Sequence, residues 1–162
     1  MANKCFNTKN MSAIQKITRQ LMSVQGTYGN IEKISTRRNG FSCIMNITPS
    51  ENSDTYKVEI SYTYGSYPKA KLLSHKLEMR DGKYPHHIFG HDKNGHAKLC
   101  VFYAGNDEWN DDMLISKSFI PWVSTWLNTY EFWLITGEWH YDEIIIGEEK
   151  TARDGDEFDI KN

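Results

Sequence analysis

Between Tyr56 and Tyr64 the chain alternates without a break. Tyr56, Val58, Ile60, Tyr62 and Tyr64 share one parity, and Lys57, Glu59, Ser61 and Thr63 share the other. Side chains of an extended chain point to opposite faces in turn, so this stretch predicts a strand with one buried and one wet face. Phe41, Cys43, Met45 and Ile47 repeat the pattern, separated from it by the polar turn at 49–54. Asn39-Gly40 reads as a turn. Beyond the turn at 65–68, Lys69 to Leu77 is expected to add a third strand to the meander, and Arg80-Asp81-Gly82 another turn. Such a sheet needs a cover on its apolar side.

Two helices can supply that cover. Ser12 and Gln15 stand in capping-box spacing, and Ile14, Ile17, Leu21 and Val24 follow at intervals of one helical face, with Gly26 and Gly29 ending the run. A second helix is predicted from about Pro121, which needs no amide partner in a first turn. Trp122, Val123, Trp126, Leu127, Tyr130, Trp133 and Leu134 spread over more than one face. Such a helix is buried along most of its length, its tryptophans are core, and Gly137 suits its C-cap. Ile144 to Ile146 could form a last apolar anchor. Helix, antiparallel meander, polar loop and buried helix make an α+β arrangement.

The length fits one domain, expected over residues 1–146 with a charged tail at 147–162. Nineteen basic against 21 acidic residues lack the excess that marks a nucleic-acid partner or an anionic membrane surface. No apolar run is long enough for a span, and the first residues lack a signal-peptide core, so a cytoplasmic protein is expected. Cys5, Cys43 and Cys100 form no C-x-x-C pair and are odd in number, which predicts free thiols and excludes a four-cysteine zinc site.

The chemistry concentrates between Pro85 and Tyr103. A loop rich in His, Asn and Gly runs into a short apolar strand, Leu99 to Tyr103, with Cys100 at its entrance. Free cysteines are often buried, and reactivity needs an accessible thiolate. Cys43 reads as core and Cys5 as a bystander, whereas Cys100 sits where polar loop meets strand. Such a loop can offer hydrogen-bond donors to an oxyanion. Asn94 suits that role by its side chain, His86 would order the loop, and His91 and Asp92 would support it. The histidines at 86, 87, 91 and 96 lack the spacing and partner ligands of a metal site, so no metal is expected. Asp107 and Glu108, with Trp109 beside them, read either as a solvated turn or as an approach surface for a lysine or a basic partner. No glycine-rich phosphate loop is present, so no nucleotide or other cofactor is expected.

One resemblance covers this half in detail. Pro85-His86, Gly95, Leu99-Cys100-Val101-Phe102-Tyr103 and Glu108-Trp109 are followed by Ile120-Pro121-Trp122, Trp126-Leu127, Tyr130-Glu131, Trp133 and Thr136-Gly137-Glu138-Trp139. This pattern resembles the bacterial E2-like (ubiquitin-conjugating-enzyme-like) proteins of CBASS anti-phage systems, of the stand-alone kind without a fused E1. The resemblance implies a ubiquitin-conjugating (E2) fold with Cys100 as the thioester-forming residue. It also implies a donor, the C-terminus of a cGAS-like nucleotidyltransferase primed by transfer to a target amine, with an E1-like activating protein as a further partner. The His-Pro-Asn triplet that eukaryotic E2 enzymes place before the cysteine is absent. Two other classes compete: a binding module that keeps the fold without turnover, and a cysteine hydrolase, which would need a general-base His beside the thiol.

Overall fold

The computed structural model describes residues 8–102 and 108–140. A short 3₁₀ turn at Thr8–Asn10 precedes helix α1, Ala13–Thr27. Six strands follow: β1 (Ile31–Arg37), β2 (Gly40–Ile47), β3 (Tyr56–Thr63), β4 (Lys69–Leu72), β5 (Ile88–His91) and β6 (Ala97–Leu99), and then helix α2, Phe119–Thr136. They form one sheet in the order β1-β2-β3-β4-β6-β5, antiparallel at every pairing. The fold is α+β. Cys5, Tyr103, Asp107, Ile144 to Ile146 and the expected tail lie outside the described residues.

The alternating stretches pair as expected. Cys43 faces Ile60 and Met45 faces Val58, so the apolar parity of both strands turns inward. Tyr64 falls past the end of β3 and is exposed. The third strand is shorter than predicted: β4 stops at Leu72, because the amides of Leu73 and Ser74 both turn to the Lys57 carbonyl. β1 carries little strand signal in the sequence, because only Ile31 and Ile34 are partly covered on this edge strand.

The capping box at Ser12 and Gln15 forms with both hydrogen bonds in place. The buried face of α1 differs from the predicted one. Ile14 is 71% exposed, and Ile17, Gln20 and Val24 point inward. Gln20 earns that position by hydrogen bonding: its Nε2 donates to the Met113 carbonyl at 2.7 Å, and its Oε1 accepts the Ile115 amide at 2.9 Å. A buried amide that satisfies two backbone groups costs little to bury.

Helix α2 carries the core. Trp126, Leu127 and Val123 are fully buried, with Trp126 stacked on Tyr130 at 5.8 Å. Pro121 is its third residue, and Gly137 ends it in the left-handed region (φ 79°), its amide donating to the Trp133 carbonyl. Any side chain at 137 would also strike the Arg80 guanidinium, which donates to the Leu134 and Ile135 carbonyls. On the other side, Glu131 accepts from Ser53 Oγ, the Asp54 amide and the Tyr56 hydroxyl, so the β2–β3 turn is tied to α2.

Candidate functional site

Cys100 directly follows β6 instead of opening a strand, since β6 ends at Leu99, which pairs with Ala70 on one side and Ile88 on the other. The stretch read as a long polar loop is a hairpin, β5 to β6, and Cys100 comes off its end. Its amide donates to the His87 carbonyl at 2.8 Å. The indole Nε1 of Trp126 donates to that same oxygen at 3.2 Å. One carbonyl therefore joins the cysteine backbone to the buried middle of α2. His87 adopts φ 61°, a conformation uncommon outside glycine.

Burial alternates from Ala97 to Phe102, with Ala97, Leu99 and Val101 inward and Lys98, Cys100 and Phe102 on the more accessible side. The Cys100 thiol is thus partly exposed, and its Sγ contacts the Phe102 carbonyl at 3.7 Å. Cys43 is the opposite case: 1% exposed, with burial pushing its thiol up to about 11. Against His87 lies an aromatic wall. The ring of Trp139 sits 5.9 Å from His87 and 5.3 Å from Trp126.

The predicted support residues are distributed along the hairpin. Asp92 braces its turn: Oδ1 accepts the amides of Asn94 (2.8 Å) and His96 (3.0 Å), while Oδ2 meets His96 Nδ1 at 3.1 Å and Lys71 Nζ at 3.3 Å. The His96 amide first, then those other partners, hold the Asp92 carboxyl well below the usual carboxylate range. Asn94 is exposed on this turn, with the length of β6, roughly 10 Å, between it and Cys100. His91 packs its ring 4.8 Å from Tyr84, and His86 is exposed with its ring 6.4 Å from His87. The residue brought against the cysteine backbone is His87, which reads in the sequence as one more loop histidine.

Comparison with known families matches residues 20–146 to the family described as Type II CBASS E2 protein. The chain belongs to that family. No curated protein matches it. The matched span holds the whole sheet, the Cys100 hairpin end and α2.

In this CBASS E2 chain the acidic stretch after the cysteine is largely spoken for. Trp109, expected at an approach surface, is buried against Tyr62, ring to ring at 5.9 Å, and its Nε1 has no hydrogen-bond partner among the described residues. Glu108 is half-buried. Asp111 accepts from the Tyr62 hydroxyl and pairs with Lys16, and Asp112 accepts from Thr8. Arg19 donates to the carbonyls of both aspartates. Helix α1 thereby anchors the segment that leads into α2. Among the described residues no group of three or more His, Cys, Asp or Glu is placed to hold a metal ion, and no helix is long and apolar enough to cross a membrane.

Proposed function

We propose that this CBASS E2 protein has the ubiquitin-conjugating fold and is an acyl carrier, with Cys100 forming a thioester to the C-terminus of a cGAS-like nucleotidyltransferase. One observation carries the reading: Cys100 is a partly exposed thiol whose main chain is fixed, through the His87 carbonyl, to the buried Trp126 indole. A carrier needs an accessible sulfur on a rigid seat, because orientation supplies much of the rate in acyl transfer.

The thiolate attacks the carbonyl carbon of a C-terminus already activated by another protein, as an acyl adenylate or a thioester. The carbon–sulfur bond forms, and the bond to the activating group breaks with that group leaving. In the second step an acceptor amine attacks the thioester carbonyl, the carbon–nitrogen bond forms, and sulfur leaves as thiolate. The amine's proton passes to solvent. The His–Asp pair that a hydrolase would need, His96 with Asp92, is engaged at the hairpin turn and separated from the sulfur by β6. That distance favours a carrier, since a base poised on water would empty the thioester. Asn94 is assigned to the turn, together with Asp92, His91 to its flank, and His86 to the opposite, Cys100 end of the hairpin, beside His87.

Co-expression with the nucleotidyltransferase and its activating protein, followed by mass analysis with and without an added thiol, tests this. A thiol- and hydroxylamine-labile adduct on the full chain is expected, replaced in Cys100→Ser by a stable ester or by nothing. A non-covalent complex indifferent to Cys100→Ser would mean a binding platform instead.

A further inference from the structure

A cavity of about 460 Å³ opens beside Cys100 on the outer side of the sheet. Leu99 and Val101, the immediate neighbours of Cys100, both line it, as do Lys98 and Phe102 from the cysteine's own side of the strand. Its walls are aromatic. Phe102 meets Tyr67 edge-on at 5.5 Å and Phe119 at 6.0 Å, and across from them Phe89 is 67% exposed. Two large rings, Tyr67 and Phe89, stand in water around a hollow roomy enough to take a large side chain. The rim is basic. Lys69 and Lys98 are exposed at it, while the charge of Lys71 is already met by Glu59 at 3.5 Å and Asp92 at 3.3 Å.

We propose that this cavity is the specificity pocket for the acyl donor, and that it takes a large apolar side chain from the donor's extended C-terminal segment, with flanking carboxylates paired to Lys69 and Lys98. The inference rests on the reading of Cys100 as the carrier. Any chain joined to the sulfur begins between Lys98 and Phe102. At about 3.3 Å per residue an extended segment crosses the cavity within roughly two to four positions of the terminal carbonyl. Aromatic walls with a cationic rim then select an apolar residue set among acidic ones, and like charge at the rim rejects a basic tail.

The test uses the full chain and a fluorescein-labelled synthetic peptide of the donor's last ~12 residues, a length that covers the predicted crossing several times over. Binding is read by anisotropy on Cys100→Ala, which removes the chemistry and leaves the pocket. Expected are a fall of about tenfold or more in affinity for Lys69→Glu/Lys98→Glu and a steeper loss for Ser61→Trp, which obstructs the cavity from β3. Replacing the peptide's apolar residue by Ser should weaken binding likewise. Both lysines are exposed, and a thermal melt confirms that the variants fold. With Cys100 present and the peptide supplied as its activated C-terminal thioester, whose thiol is the leaving group, the lysine variant should form the adduct with raised KM and unchanged kcat.

An adduct whose concentration dependence ignores these substitutions overturns the pocket and leaves the carrier intact. Peptide binding that follows the substitutions, without adduct on Cys100, overturns the carrier and leaves the pocket. The chain's own residues 154–160, DGDEFDI, have the same chemistry as the proposed ligand. If a synthetic DGDEFDI binds the pocket and the donor peptide does not, the donor assignment fails.

Discussion

The carbonyl of His87 holds the amide of Cys100 at 2.8 Å, and the chain has committed a fully buried tryptophan to keep that carbonyl in place. Control of the cysteine's position therefore lies in the core of α2, away from the sulfur. Trp126→Phe removes the indole donor and keeps most of the ring. It should cost about 1–2 kcal/mol, the value of a buried hydrogen bond whose acceptor retains one partner. The same variant should change the alkylation rate of Cys100 several-fold, and denaturant unfolding with iodoacetamide kinetics measures both. Trp126→Ala should lose roughly 3–5 kcal/mol through the cavity it leaves.

The two described cysteines should separate cleanly by accessibility to alkylation. In a Cys5→Ser background, iodoacetamide at pH 8 should label Cys100 in the native protein and reach Cys43 only on unfolding. The Cys43 thiol has a folded pKa of about 11, above its ordinary value of 9.0, so between those values the folded state binds the proton that the unfolded state releases. Stability contributed by Cys43 is complete below about pH 9 and is lost as pH rises toward 11. Cys43→Val should flatten that part of the alkaline stability profile, measured by urea midpoints across the window.

Asp92 should govern the hairpin in the opposite direction. Its carboxyl is depressed by the amides of His96 and Asn94, so its contribution is present above the ordinary carboxylate range and is lost as pH falls through the lower folded value. Asp92→Asn should raise hydrogen exchange at the Asn94 and His96 amides by about tenfold or more at neutral pH, by weakening the charge-assisted hydrogen bonds. Wild type should match the variant only in strong acid. Unchanged exchange would mean that the turn is held by its backbone pairing alone.

Gln20 offers a test of how α1 is joined to the rest. Gln20→Ala strands the Met113 carbonyl and the Ile115 amide inside the protein, and should cost on the order of 2–4 kcal/mol in denaturant unfolding. Ile14→Ala, at the exposed position, should change stability by about 0.5 kcal/mol or less.

The uneven legibility of the chain has physical causes. Strands β2 and β3 are readable because each has one wet and one buried face, so alternation survives in the residue types. The end of α2 is readable because Gly137 supplies a backbone angle that few other residues adopt. Ile14 departs from the apolar stripe because an apolar residue in the first turn of a helix need not face inward, and Gln20 carries no local signal because its two backbone partners lie more than ninety positions away.

The amino-acid pattern by itself determined the α+β class, the meander and both helices, since these depend on periodicity and local chemistry, and it offered Cys100 as a candidate. Which residues surround that cysteine was decided by the tertiary structure alone. The antiparallel pairing of β5 with β6 carries Asn94 and Asp92 to the far turn and returns His87 to Cys100. A helix beginning seventeen positions beyond Phe102 then delivers Trp126 to the same oxygen. Pairing register and helix docking are fixed by burial summed over many side chains, so no local stretch of residues encodes them.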